Sequence, residues 1–354
     1  MVNLHYVRKS NFELWSTQES NAKLRSTTSG QVALFVGATS GIAFHTLTKF
    51  VRLSYRPKAY IVGRNPERLS EIIQDLKAIN SKGTYIPIES KISLLKNVDA
   101  ACEEFQRREK SLDLLIMCPG YLKLSRQPNN EDGLEETISL RYYVRMRFIH
   151  NLLPQLTASP SARILSIHGA GYEGQLKEDD LELNKHFSIR NAVIHTATMN
   201  TLALAEIASL HPTISCIHSW PGLVLTGTFD RLTENWYAPL RVLFLWLVVP
   251  LMSLVSPDHV SLQETGERHL FAATSARYPP EGVKDPPGGG VALPEGVEVA
   301  RGWDLNEASG FYLLNWNGET TGDAKLLEEY RKRDMGKKIW EHTLEVFDRA
   351  CTQK

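Results

Sequence analysis

The sequence predicts an α/β fold: a Rossmann-type doubly wound parallel sheet with a large insertion and a C-terminal extension. Three observations carry this. Short apolar runs are continuous rather than alternating, amphipathic stretches of helical period separate them, and a glycine turn follows the first run. Continuous runs are what a parallel sheet covered on both faces requires, and strand alternating with helix builds βαβ units. VALFVG (32–37) is the first strand and AYIVG (59–63) the second. In NPERLSEIIQDLKAI (65–79), Pro66 opens a helix and Leu69, Ile72, Ile73 and Leu76 recur at helical spacing. YIPIES (85–90) and LDLLIM (112–117) are the next strands, with a helix over LLKNVDAACEEFQRRE between them. A helix over Leu134–Leu156, a strand ARILSIHG (162–169), a helix over Asn191–Leu210 and a strand ISCIHSWPG (214–222) continue the alternation. SGFYLLNW (309–316) is the last strand and Leu326–Ala350 the last helix.

Residues 1–30 read as an N-terminal extension and 31–354 as one Rossmann-type domain. Within it, 223–280 is an insertion forming an apolar lid, and 281–302 a Pro/Gly-rich loop. The length of 354 residues is ample for a core without staples. With 40 Lys+Arg against 40 Asp+Glu there is no basic excess of the kind nucleic-acid binding shows. Four cysteines, Cys102, Cys118, Cys216 and Cys351, form no C-x-x-C pair, so neither a metal cluster nor a disulfide framework is expected. A cytoplasmic location follows, supported by an N-terminus without a signal-peptide core. The longest apolar stretch, VLFLWLVVPLMSLV (242–255), contains Pro250 and falls short of the roughly 20 residues a spanning helix needs. With Trp236, Tyr237, Phe244 and Trp246 it reads as a lid over a hydrophobic substrate, as core packing, or as a peripheral membrane contact through 236–255.

The strongest motif is FVGATSGIA, from Phe35 to Ala43, between the first strand and a helix. Gly37 permits the tight turn, Gly41 admits a pyrophosphate close to backbone, and Ala43 lets the helix pack on the sheet. The helix start offers free N–H groups and partial positive charge. Gly37, Thr39, Ser40, Gly41 and Ile42 are therefore the expected phosphate cradle; a ligand-free βα turn would look similar. Arg64 and Asn65 follow the second strand, where an acidic residue would mark NAD. An arginine there pairs with a 2′-phosphate, worth about 1.5–3 kcal/mol or one to two decades of preference for NADP. The alternative is a solvated loop arginine.

These residues resemble the short-chain dehydrogenase/reductase family over about residues 30–228. Its glycine motif matches at Gly37, Gly41 and Ala43, and its Asp before the fourth strand at Asp113. Its Asn-Asn-Ala-Gly turn is Met117-Cys118-Pro119-Gly120, and its Pro-Gly-x-x-x-Thr segment matches at Pro221, Gly222 and Thr226. The resemblance implies cofactor contacts at Gly120, Pro221, Gly222 and Thr226, the last near the nicotinamide amide, and a homodimer through the long central helices. The insertion, TSARYPP (274–280) and WEHT (340–343) look like a fungal secondary-metabolite subgroup.

The catalytic half departs from the family. Its serine position falls at or beside Gly169, and its Tyr-x-x-x-Lys window falls in HFSIRNAVIH (186–195), which holds neither residue. The helical Asn falls near Arg141–Tyr143, and Lys91 lies near where the adenine-contacting Asp would be. A positioned general acid is worth about 10²–10⁴ in rate. His168 and Tyr172 are the leading substitutes because both follow a strand's carboxyl end; Tyr142, Tyr143 and His195 come next. Arg141 and Arg145 share a helical face, read as solvated or as a subunit contact. The expected function is an NADP(H)-dependent oxidoreductase acting on a hydrophobic carbonyl or alcohol in specialised metabolism. A non-redox isomerase, cyclase or dehydratase on the same scaffold and a catalytically silent NADP sensor are the alternatives.

Overall fold

All seven expected strands form, and they make one parallel sheet. They are β1 (Val32–Val36), β2 (Lys58–Gly63), β3 (Thr84–Glu89), β4 (Leu114–Met117), β5 (Arg163–Ile167), β6 (Ser215–Ser219) and β7 (Phe311–Leu314). Their order is β3-β2-β1-β4-β5-β6-β7. In this computed structural model, residues 2–14, 16–18, 30–121, 123, 125–227, 233, 236–249, 251, 255–282 and 290–352 are described. Parts of the expected N-terminal extension, lid and Pro/Gly-rich loop lie outside them. The helices are α1 (Leu4–Phe12), α2 (Gly41–Leu53), α3 (Pro66–Ile79), α4 (Leu95–Arg108), α5 (Val144–Thr157) and α6 (Ile189–Leu210), then α7 (Ala238–Leu243), α8 (Leu262–Thr274), α9 (Ala324–Lys332) and α10 (Met335–Thr352).

The strand order reverses between β1 and β4, which opens a crevice at their carboxyl ends. Val36 pairs with Met117, so Gly37 and Cys118 leave the sheet side by side. Asp113 ties down the opposite edge. Its Oδ2 accepts the Val32 N–H at 2.8 Å and its Oδ1 the Ser159 hydroxyl at 2.5 Å. The sheet's central strands are buried on both sides, as their continuous apolar runs require. One face packs residues of α4, α5, α6 and α10; the other packs α2, α3 and α8.

Four boundaries differ from expectation. The helix expected from Leu134 is interrupted by a π turn at Ser139–Tyr143 ahead of α5, and all five residues of that turn are buried. Five consecutive residues span about a full turn, so this turn is enclosed by protein on every side. The last helix is two, because Asp334 adopts φ 52° between α9 and α10. The insertion is shorter than 223–280, because α8 belongs to the core. Gly266 sits so close to α2 that a Cβ would lie 2.8 Å from the His45 carbonyl. Its mixed charges and internal glycine hid this helix in the sequence. The N-terminal segment is likewise docked rather than appended. Val2, Val7 and Leu14 are buried, and Glu267 of α8 binds Arg8 at 2.8 Å and Lys49 of α2 at 2.6 Å.

Of its described residues, the apolar segment buries only Val249. No residue of α7 or of the π turn Phe244–Val248 is buried, and Trp246 is 81% exposed. No helix among the described residues is long and apolar enough to cross a membrane.

Candidate active site and dinucleotide cleft

A cleft of about 780 Å³ occupies the crevice. Gly37, Thr39, Ser40, Gly41 and Ile42 form one wall, Arg64 and Lys91 one end, and Gly120, Leu225 and Thr226 another side. At Gly37 φ is +77°, and a Cβ would fall 2.8 Å from the Pro119 nitrogen and 2.9 Å from the Cys118 carbonyl carbon. Only glycine fits both the turn and the neighbouring strand end. Gly41 (φ +63°) faces the Thr226 side chain, where a Cβ would stand 3.6 Å from the methyl. The Pro-Gly-x-x-x-Thr segment thus meets the glycine turn in space. Ser40 supplies no side-chain cap to α2, so the helix start lacks the hydroxyl partner a serine usually provides there. A phosphate is the natural occupant of such an end.

The charge of the cleft agrees. Among the described residues, Arg64, Lys91 and Lys123 line it against one carboxylate, Glu136. Arg64 is exposed and makes no hydrogen bond or ion pair among the described residues. Asn65 has a different job from the one expected: its side chain caps α3, accepting the Arg68 N–H at 2.5 Å, and does not line the cleft. Pro221 and Gly222 also stand back from it. Gly222 (φ +82°) shapes the turn, since a Cβ there would meet Val260 at 2.7 Å and the Asp258 carbonyl at 2.8 Å. The glycine turn, uncapped helix and basic rim fit a dinucleotide phosphate group.

Behind Gly120, at the ends of β4 and β5, lies a buried polar cluster. Arg145 is 2% exposed. Its Nη1 donates to the carbonyls of Met117 and Ile167 (both 3.1 Å) and to Ser166 Oγ (2.8 Å), and its Nη2 to the Pro119 carbonyl (2.7 Å). Arg141 is 8% exposed and crosses Gly120, its Cγ 2.9 Å from where a Cβ would be. The shared face of these arginines is therefore interior, not solvated. The π turn and the packing of the helix against β4 and β5 turn it inward. Desolvation brings both guanidinium groups down to about 10, still charged at neutral pH.

His168 is part-buried, its Nε2 3.4 Å from Arg141 Nε and 3.1 Å from Thr196 Oγ1. Burial pushes it well below the ordinary histidine value, with Arg141 and Arg145 adding to the effect. It is a neutral imidazole. Asn200, one turn beyond Thr196, donates to the carbonyls of Arg141 (3.0 Å) and Thr196 (2.6 Å) and contacts Ser166 Oγ at 3.2 Å. A second chain runs from the Gly169 N–H to His218 Nε2 (3.3 Å), from His218 Nδ1 to Thr201 (2.8 Å), and from Thr201 to Glu173 (2.7 Å). Burial brings His218 down to about 3.

The other candidates fare differently. Tyr172 is 47% exposed, with its ring edge-on to Trp220 at 5.5 Å. Burial and then Asp258 push its phenol upward, the reverse of the activation an acid–base tyrosine needs. Neither His168 nor Tyr172 lines the cleft itself. Tyr142 bonds Thr343 at 2.6 Å and Tyr143 bonds His342 at 3.0 Å, both inside the core. His195 accepts the Lys177 N–H at 2.9 Å and holds a loop. Sequence reasoning missed Arg145, Thr196, Thr201, Asn200 and Glu173 as partners, since nothing in their spacing signals a cluster drawn from several separate elements.

A seven-stranded parallel sheet with this turn at its switch point defines a Rossmann-type dinucleotide-binding protein. The short chain dehydrogenase family model matches residues 31–174. Oxidoreductase AN1596 of Emericella nidulans is 41% identical over 95% of this chain and 98% of its own length. Oxidoreductase andH of Emericella variicolor is 35% identical over 93% and 95%. Short-chain dehydrogenase/reductase SAT2 of Stachybotrys chartarum is 29% identical over 90% and 92%. An L-sorbose reductase of Gluconobacter frateurii, solved with NADPH and L-sorbose, shares the fold with a TM-score of 0.53. It is 19% identical, covering 76% of this chain and 97% of its own. The chain belongs to the short-chain dehydrogenase/reductase family, and it is an oxidoreductase of that type.

Proposed function

We propose that the protein is an NADP(H)-dependent oxidoreductase acting on a hydrophobic carbonyl or alcohol in specialised metabolism. The observation that carries the cofactor is the uncapped start of α2 at the glycine turn, open to a cleft whose far end presents an unpartnered Arg64. Backbone at Gly37–Ile42 would hold the diphosphate, Arg64 the 2′-phosphate and Thr226 the opposite rim. Bound there, NADP(H) would supply or accept a hydride.

The chain's own residues then have to polarise the substrate oxygen. His168, neutral and in the tautomer that donates from Nδ1, is the proposed donor, with Arg141 and Thr196 on its other nitrogen and Asn200 bracing the pair. Tyr172 is left as a rim residue. The hydrophobic substrate class is supported by how the apolar segment is tethered. Gly227 and Leu262, on either side of the apolar segment in the chain, both line the cleft.

Arg64→Asp tests the reading by calorimetry. NADPH affinity is expected to fall about 10- to 100-fold while NADH affinity changes little. Equal losses for the two would remove the 2′-phosphate assignment.

A further inference from the structure

Arg141 and Arg145 form a buried pair of cations with no carboxylate ion-paired to either among the described residues. For Arg145 the backbone substitutes, since both terminal nitrogens are occupied by carbonyls and the Ser166 hydroxyl. For Arg141 nothing does. Its Nε reaches His168, and its two terminal nitrogens make no hydrogen bond among the described residues. Arg141 as a whole keeps 8% of its surface exposed. The carboxylate whose charge reaches Arg141 is Glu135, and its oxygens are already committed. They accept the Gln127 N–H at 2.8 Å, the Thr137 hydroxyl at 2.6 Å and the Ile138 N–H at 2.8 Å.

A guanidinium nine-tenths buried without an anion is costly, and evolution of a fold normally supplies the partner. Here the free edge is the one between the two terminal nitrogens, the geometry that grips a carboxylate with two parallel hydrogen bonds. Arg141 lies directly behind Gly120, a residue of the cleft wall, and beside the proposed donor His168, though neither side chain itself lines the cleft. We propose that Arg141 is a substrate-binding residue and that the substrate is a hydrophobic molecule bearing a carboxylate, which supplies the missing anion. This rests on the oxidoreductase reading above for the location of the substrate. It goes beyond it in naming the charge the substrate carries.

The test uses 4-phenylbutanoate and its amide as probes, titrated by calorimetry into the NADPH-saturated protein. The acid is expected to bind at least tenfold tighter than the amide. Arg141→Gln is expected to abolish that preference while leaving NADPH affinity within twofold. Arg141→Lys, which keeps the charge but loses the fork, is expected to retain only part of the preference. Acid and amide binding alike to the wild-type chain, or neither binding, would overturn the proposal, and that comparison stands even if a variant fails to fold. A variant that weakens NADPH but keeps the preference would also overturn it, by assigning the cation to the cofactor. Failure of NADPH to bind at all is a separate outcome that removes the cofactor reading, and the acid–amide comparison is then made on the chain alone.

Discussion

Arg141 Nε stands 3.4 Å from Nε2 of His168, which also faces Thr196 Oγ1 at 3.1 Å. A guanidinium only donates, so the proposed donor tautomer is the one whose Nε2 accepts and whose ring proton resides on Nδ1. A donor of this kind polarises a carbonyl without itself titrating in the working range. We expect His168→Leu to lower NADPH oxidation with a responsive carbonyl substrate by about 10²–10⁴, with His168→Gln losing less. The pH profile of kcat/KM is expected to show no ionisation from this position between about pH 6 and 8. Wild-type activity in His168→Leu would show that the donor lies elsewhere.

Glycine is required at Gly37 and merely preferred at Gly41. An added methyl at Gly37 strikes backbone at 2.8 Å, whereas at Gly41 the nearest atom is 3.6 Å away. Both carry positive φ, which costs about 1–2 kcal/mol for alanine, but only Gly37→Ala must also displace the β4 end. The expected result is loss of NADPH binding and a lower Tm for Gly37→Ala, whereas Gly41→Ala costs only about 1–2 kcal/mol of stability and acts on NADPH by crowding the diphosphate. Equal effects on Tm would contradict the steric account.

Arg145 holds the ends of β4 and β5 together through its bonds to carbonyls and Ser166. Arg145→Met leaves buried carbonyls without donors, at about 1–3 kcal/mol each, offset in part by removal of a buried charge. Urea denaturation is expected to register a loss of at least about 2 kcal/mol. Arg145→Lys should not rescue it, because a single ammonium cannot span these acceptors. A variant as stable as wild type would show the bonds to be dispensable.

Acid should unfold this protein early. Burial is the leading reason His168 lies well below 6.5, with His218 at about 3 and His195 and His269 at about 4. In the unfolded chain these groups bind protons from about pH 6.5 downward while the folded state does not, so stability present above that pH is lost as it falls. Each contributes a slope of up to about 1.4 kcal/mol per pH unit. Burial raises the carboxyl of Glu173, which acts with the opposite sign but is outnumbered. The check is Tm at about pH 7.5, 6.5 and 5.5, expected to fall most over the last step; a flat profile would count against neutral buried histidines.

Much of the fold was legible because parallel strands buried on both faces leave continuous apolar runs, and all seven were readable. The glycine turn was legible because its backbone angles admit little else. What escaped was long-range. Leu262–Thr274 packs on α2 through a glycine that no periodicity flags, and Arg141 and Arg145 share a polar helical face that the fold turns inside. Asn65 neighbours Arg64 in sequence, yet its side chain serves the helix it precedes. Thr196 and Asn200 form a site only because β5 ends opposite them.

The central claim is that the start of α2 grips a nicotinamide dinucleotide through its diphosphate. Calorimetric titration of NADPH into the purified chain tests it most directly. One-to-one binding, tighter for NADPH than for NADH and lost in Gly37→Ala, is the expected result. Absence of heat with every nicotinamide dinucleotide, confirmed by unchanged NADPH fluorescence, would contradict it.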